Sequence, residues 1–363
     1  MKTRTTVVVE ELLATPPFGM ESGEKRGLYA QELSDLTLHH YHCCPEYRRL
    51  SCLLGYTPDA RMAVEEIPFI PVRLFKEYDL LSVGKQDIIK TMTSSGTSGQ
   101  AVSRIYLDKT TAAYQTKALV RIVSSFIGNK RLPLLIVDSP SVIKSRALFS
   151  ARGAGILGFS MLGRDATYML DENNQIDFAR LDAFLEKHRS SRILFFGFTF
   201  IIWEYLCQAL RREGRRLEID GILIHGGGWK QLTSIAVDNA TFKKELRETC
   251  GIQSVCNYYG MVEQTGSIFM ECSQGVLHAS LYSDLIIRDP VTFSVLPVGQ
   301  PGLVQLVSLL PSSYPGHSIL TEDIGEILGE DDCPCGRKGR YFRIHGRVKN
   351  AEVRGCSDVD ATQ

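Results

Sequence analysis

The sequence predicts an α/β protein, with layered parallel sheets and helices at its centre, a helical region before them and a smaller β-rich unit after them. Three observations predict it. Across the middle of the 363 residues, apolar strand-like runs alternate with longer helical patterns, the signature of parallel strands joined by crossover helices. Before that stretch, apolar and aromatic residues recur at helical spacing. After Leu277, short β-like pieces separated by Pro and Gly turns replace the alternation.

Taken in order, residues 1–81 form the helical region. LYAQELSDLTLHHYHCCPEYRRLSCLL carries the helical period, and Pro68 and Pro71 in PFIPVRLF end it. Residues 82–276 form the core, where PLLIVDSP, RILFFGF, DGILIHGGGWK and QSVCNYYG read as strands. RLDAFLEKHR, FIIWEYLCQALRR and NATFKKELRETCG read as the helices between them. Residues 277–346 form the β-rich unit, and 347–363 a short polar tail expected to be mobile. In such folds, ligand sites lie on loops at the carboxyl ends of the strands.

Composition narrows the function. Formal net charge is zero and the pI about 7.1, so nothing global steers the chain to nucleic acid, and small neutral or anionic ligands are the expected partners. The N-terminus MKTRTTVVVEELLA lacks the apolar core of a secretory signal, and a cytoplasmic location is expected. Ile193 to Leu210 is the strongest membrane candidate, but Gly197 and Glu204 interrupt it. A buried strand turning into a core helix explains it better than a span. Ten cysteines without a signal segment point to metal ligands, nucleophiles or buried small hydrophobes rather than a disulfide framework.

Thr91 to Arg104 reads TMTSSGTSGQAVSR. A Walker loop needs a lysine after its last glycine, and none follows Gly99. What remains is a row of hydroxyl donors, Thr93, Ser94, Ser95, Thr97 and Ser98, with Gly96 and Gly99 allowing close backbone approach to an anion. A solvated Ser/Gly linker has the same composition, so the stretch alone leaves both readings open.

Other segments bear on the choice. TSSGTSG resembles the phosphate loop of the adenylate-forming superfamily, which includes acyl-CoA synthetases, peptide-synthetase adenylation domains and luciferases. GGGWK, with Gly226, Gly227 and Gly228, is similar to the superfamily's glycine-rich loop beside the nucleotide and acyl pocket. NYYGMVEQTG resembles its YGxTE element, with Val262 in place of Thr. The resemblance implies that Tyr259 and Gly260 lie against adenine, that the catalytic Glu263 helps hold magnesium, and that Asp323 of TEDIGEI contacts the ribose hydroxyls. Arg343 and Arg347 of RIHGR then resemble the ribose-contacting arginine and the arginine at the hinge. Each match has a bland alternative: a tight turn, a core aromatic or a surface acid. Adenylation brings a carboxylate against an α-phosphate, and magnesium, hydroxyls and an arginine are what two such anions require.

Typical members continue past the hinge into a mobile subdomain bearing a catalytic lysine. This sequence ends sixteen residues after Arg347, so that C-terminal subdomain is expected to be truncated. The whole resembles the acyl-protein synthetases (LuxE-type) in CPEYR, IPFIPVRLFK, TSSGTSG, GGGWK, Asp323 with Gly325, and the terminal GC. The resemblance implies that ATP activates a fatty acid as acyl-adenylate. It implies further that the acyl group moves to a cysteine near the C-terminus, matched by Cys356, for a partner reductase. Lys349, Arg354 or bound magnesium would favour its thiolate. CPCGRKGRYFRIHGR looks more like phenylacetate-CoA ligase relatives, so a CoA ligase is the alternative, and a non-catalytic nucleotide-binding scaffold the third reading.

Cys272, His278, Cys333 and Cys335 form a C-x5-H and C-x-C pair suited to tetrahedral structural zinc, with reduced free cysteines or a disulfide as alternatives. His39, His40 and His42 read as surface or packing residues. His225, just before the glycines, would sit at a strand end facing the nucleotide loop. Phe195 to Trp203 reads either as core or as the lining of an acyl pocket.

Overall fold

The computed structural model describes residues 4–58, 61–94, 101–143, 151–229 and 236–348. Strands β1 to β14 are, in chain order, Ile70–Pro71, Ile88–Thr93, Arg104–Asp108, Leu132–Val137, Gly163–Tyr168, Ile193–Phe198, Gly221–Gly226, Ser254–Tyr259, Phe269–Glu271, Leu277–His278, Ser283–Arg288, Gly302–Ser308, Ser318–Glu330 and Arg340–Arg347. Neighbours β5, β4, β6, β7 and β8 all pair in parallel. From β8 the same sheet continues antiparallel through β9, β10, β14, β13, β12 and β11, and β1 joins β13 in parallel. β2 and β3 form a separate antiparallel hairpin.

The strands read from apolar runs occur where expected, and β6 and β7 are buried along their whole length. Parallel strands covered on both faces need continuous apolar sequence. Helix Ala151–Ser160 covers one face, where Phe159 stacks on Phe196 with ring centroids 4.2 Å apart. Helix Asn239–Cys250 covers the other, where Phe242 meets His225 at 4.7 Å. Asp108, Asp177 and Asp238 cap helices by accepting from Thr111, Arg180 and Thr241 amides at 2.8, 2.9 and 2.7 Å. Gly251, at φ +71°, turns the chain out of the helix Asn239–Cys250.

Two glycine-interrupted or polar elements escape the periodicity. Helix Ala151–Ser160 carries Gly153, Gly155 and Gly158, which lower helix propensity. Strand β5 is half polar because it forms an edge of the sheet.

The N-terminal helix Ser22–Cys43 is fastened at both ends. Lys25, buried, donates to the Ser283 carbonyl at 2.8 Å and pairs with Asp284 at 3.1 Å. At the far end His40, also buried, stacks on His317 with centroids 4.7 Å apart. His40 donates to the Pro311 carbonyl (3.2 Å) and meets Ser82 Oγ at 2.7 Å. His317 Nε2 lies 3.0 Å from Thr37 Oγ1. His40 is thus a packing residue, as expected. Among the described residues, no helix is long and apolar enough to cross a membrane.

Burial, then the neighbouring His39, pushes His317 down to about 3, and burial with His317 holds His40 well below 6.5. Both rings are neutral when folded, whereas the unfolded chain takes up protons below about pH 6.5. Their stabilising contribution is complete above that pH and is lost as pH falls towards the folded value. Thermal stability should therefore fall steeply as pH drops from about 6.5 towards about 3. In His317→Gln, which takes up no proton, the midpoint at neutral pH should be lower but its fall over that range shallower. An unchanged slope would refute the assignment.

Candidate active site

At the carboxyl end of β8, three residues named from the sequence converge. Tyr259 Oη donates to Asp323 Oδ2 at 2.6 Å, and Arg347 Nε lies 3.4 Å from Asp323 Oδ1. The register of β13 and β14 sets Asp323 opposite Arg347. Asp323 is 1% exposed and Tyr259 2%, so neither depends on bulk water for its hydrogen bonds. Burial, then the Asp323 carboxylate, holds Tyr259 well above the usual tyrosine range and keeps it a donor. Arg347 also reaches Glu322 at 3.5 Å. Arg343 does not join this cluster.

Beyond Tyr259 and Gly260 the chain makes a tight turn, Val262–Gln264, that buries Glu263. Tyr314 Oη donates to the Glu263 carbonyl at 2.8 Å. Thr265 Oγ1 reaches Met92 Sδ at 3.7 Å, which sets this turn against β2, the strand ending in Thr93. The base of the hydroxyl-rich loop is closed by Ser94, whose Oγ accepts from Ser103 N at 2.9 Å and whose amide donates to the Ser103 carbonyl at 3.2 Å. Ser95, Gly96, Thr97, Ser98, Gly99 and Cys356 lie outside the described residues.

The glycine loop leaves β7 through two constrained positions. A Cβ on Gly226 would stand 2.5 Å from the Tyr258 ring, and Gly227 has φ +74°. Thr199 Oγ1 braces the loop, 2.6 Å from the Gly227 carbonyl and 2.9 Å from His225 Nδ1. In front lies a cavity of about 240 Å³ lined by His225, Gly227, Gly228, Asn257, Glu271 and Arg343 among others. Glu271 is fully engaged there by Asn239 (2.6 Å), Lys243 (2.8 Å) and the Asn257 amide (3.0 Å).

A second, mainly apolar cavity opens on the opposite face of β8. Met92, Leu119, Gly155, Gly158, Tyr258 and Gly260 line it. Phe196 and Phe198 back Gly155 from behind, and with Phe195, Ile201, Ile202 and Trp203 they belong to the core.

Cys272, His278, Cys333 and Cys335 come together from two β-hairpins, their ligand atoms all within 4.8 Å of one another. Cys272 and Cys333 sulfurs are 3.9 Å apart, and Cys335 Sγ is 3.3 Å from His278 Nε2. Tetrahedral zinc with sulfur and nitrogen ligands spaces them at about 3.5–3.8 Å, so the set fits that ion. Burial, then Arg337, pushes His278 down to about 4, leaving the neutral imidazole that binds metal. Thr199, Asn257 and Glu271 escaped the sequence reading. Asn257 stands two residues before Tyr259 and so shares its face of the strand, a period-two signal that could have found it.

The acyl-protein synthetase family LuxE matches residues 3–363. The long-chain-fatty-acid–luciferin-component ligase of Vibrio harveyi is 24% identical over 344 residues, which span 92% of this chain and 87% of that one. The ligase of the same name from Aliivibrio fischeri is 24% identical over 95% of this chain and 91% of its own. Among solved structures, 2-hydroxyisobutyryl-CoA ligase in the postadenylation state aligns with a TM-score of 0.71 at 18% identity. The alignment covers 92% of this chain and 70% of that one. The chain therefore has the fold of adenylate-forming acyl-CoA ligases.

Removing the phenolic donor leaves a buried carboxylate oxygen short of one partner. Tyr259→Phe should lower unfolding free energy by about 1–2 kcal/mol, read from denaturant midpoints. A variant as stable as the parent would show that the contact does not hold the two halves of the sheet together.

Proposed function

The chain belongs to the LuxE acyl-protein synthetase family, and from that premise we propose that it activates a fatty acid with ATP in the cytoplasm and transfers the acyl group to Cys356. From there a partner acyl reductase would take it. The observation that carries this reading is the Tyr259–Asp323–Arg347 cluster at the end of β8, a strand that also contributes Asn257 to a polar cavity and Tyr258 to an apolar one.

In the first step a carboxylate oxygen of the acid attacks the α-phosphorus, the bond to the β-phosphate bridging oxygen breaks, and pyrophosphate leaves. In the second, the Cys356 thiolate attacks the acyl carbon, AMP leaves, and a thioester remains. The apolar cavity would take the acyl chain, with Gly155 and Gly158 leaving it room. Asp323 and Arg347 would face the ribose, and Arg343, on the polar cavity, the nucleotide. Thr93 to Gly99 would cradle the phosphates through hydroxyls and backbone amides. Glu263 would hold magnesium, a single carboxylate being sufficient where phosphates complete the shell; the ion supplies neutralisation of the phosphate charge. Cys272, His278, Cys333 and Cys335 would hold a structural zinc, all four positions being taken by protein and none left for chemistry.

Incubation with ATP and radiolabelled fatty acids should give hydroxylamine-labile label on the protein and none on Cys356→Ala. That variant should keep acid-dependent pyrophosphate exchange, since adenylation precedes thiol attack. Loss of both activities would refute the two-step division, and unlabelled protein with acyl-CoA formed on adding CoA would favour a CoA ligase.

Metal analysis should find about one zinc per chain, lost together with a large part of the thermal stability in Cys272→Ser. Folded, metal-free parent protein would remove the zinc assignment.

A further inference from the structure

A third cavity, of about 580 Å³, opens at the end of β3 away from the hydroxyl-rich loop. Val9, Leu36, Leu38, Val83, Leu309 and Leu310 give it apolar walls, and its volume falls within the roughly 300–1,000 Å³ usual for small-molecule sites. His39 and Cys43 share the wall, one turn apart on the helix Ser22–Cys43 and so on one face of it. Cys43 Sγ lies 3.7 Å from His39 Nδ1, within the hydrogen-bond reach of sulfur, and His39 Nε2 lies 2.9 Å from the Ser312 carbonyl. A carbonyl only accepts, so Nε2 carries the proton, and in the neutral ring Nδ1 is a lone pair turned to the thiol. Ser312 is itself held, its Oγ 2.9 Å from Thr111 Oγ1 in the first turn of helix Lys109–Ile127. A nucleophile, a base and an acceptor that orients the base therefore stand in line, the arrangement that thiol catalysis requires. Cys43 is the last residue of its helix, where the dipole disfavours a bare thiolate, so its reactivity depends on that base. Cys52 is exposed as well but meets Tyr41 Oη, at 3.6 Å, instead of a histidine.

We propose that Cys43 is an acyl-accepting thiol, loaded from the thioester of a long-chain acid with His39 as its base. His39 Nδ1 takes the Sγ proton, the sulfur attacks the thioester carbonyl carbon, and the bond from that carbon to the departing sulfur breaks. His39 returns the proton to the departing thiol, and Cys43 holds the acyl group as a new thioester. One thioester replaces another, so neither ATP nor a redox partner is consumed. The hydrocarbon chain lies along the apolar wall. The donor comes from outside rather than from an adenylate made on this chain, because the cavity is remote from the hydroxyl-rich loop. Strand β3 runs roughly 13 Å from Arg104, beside the Ser94–Ser103 pair that closes that loop, to Asp108 at this cavity.

The full chain is incubated with radiolabelled palmitoyl-CoA and no ATP, then digested and its label mapped. Hydroxylamine-labile label should lie on the peptide that carries Cys43, at least about tenfold above that on Cys52. It should persist in Cys356→Ala and vanish in Cys43→Ser. His39→Phe, which keeps a ring and removes the base, should slow labelling about 100-fold at neutral pH. Its rate should recover towards the parent's as pH rises and the thiol ionises without help, a recovery that mere loss of packing would not produce. Val83→Trp, which fills the cavity, should cut palmitoyl labelling about tenfold, the equivalent of about two methylenes left unburied, and leave labelling by acetyl-CoA unchanged.

No label, label confined to Cys356, or label shared equally by Cys43 and Cys52 overturns the assignment, as does a rate indifferent to His39→Phe. Label that reaches Cys43 only when ATP and free palmitate replace the thioester overturns it too, since the donor would then be the chain's own adenylate. The ATP-dependent label on Cys356 is read separately. A parent that takes palmitoyl-CoA onto Cys43 but never ATP-activated acid onto Cys356 keeps this inference and loses the proposed function. One that does only the second does the reverse.

Discussion

Asp323 is a carboxylate almost wholly removed from water, and the order of the sheet follows from what its oxygens need. Tyr259 comes from the last strand of the parallel half, Arg347 from the antiparallel half, and Asp323 itself from the neighbouring β13. One buried acid therefore ties the two halves of the sheet together through charge-assisted bonds, the stronger kind. The short strands β9 and β10, which lie between those halves, offer few ladder hydrogen bonds of their own. A carboxylate at this junction fixes the angle at which β14 presents Arg343 and Arg347, and with it the shape of the polar cavity.

The four-residue Cys/His set acts on the same junction from the other side. Cys272 opens the turn joining β9 and β10, His278 ends β10, and Cys333 and Cys335 belong to the turn joining β13 and β14. Glu271, Gly275 and Leu277 of the first turn region, and Phe342 to Ile344 after the second, line the polar cavity. A metal at the set would join the two turns without entering the cavity, fixing walls rather than supplying chemistry.

How much of this the sequence discloses depends on whether a feature is local. The parallel strands are legible because burial on both faces demands unbroken apolar runs such as ILFFGF. The glycine loop and the YGxxE turn are legible because close approach and tight turning restrict the residue types allowed. Helix Ala151–Ser160 is obscured by the glycines that open the apolar cavity. Room for the cavity is gained at the expense of helix propensity, and the periodic pattern of the element is lost. Pairings at a distance have no local trace: nothing near Thr199 announces that its hydroxyl meets a histidine on the next strand. Arg343 and Arg347 lie in a single short motif, yet the β13–β14 register sends only Arg347 to Asp323.

The division of labour at the site reduces to the two-residue period of β8. Tyr258 turns to the face of helix Ala151–Ser160 and lines the apolar cavity, while Asn257 turns to the opposite face, onto the polar one. Tyr259, on the same side as Asn257, reaches Asp323. Register carries the alternation across to β7, where Gly226 pairs with Tyr258 and His225 with Asn257. Gly226 is bare because the Tyr258 ring occupies the space a Cβ would need, and His225 is free to face the polar side. Two cavities of opposite character thus open from adjacent residues of β8, one on each of its faces. Both reach the carboxyl end of β8, through Asn257 on one face and Tyr258 with Gly260 on the other. That is where a chain held in one and a base held in the other would bring carboxylate and α-phosphate into contact, and a one-residue slip of β8 would exchange the two faces and abolish both.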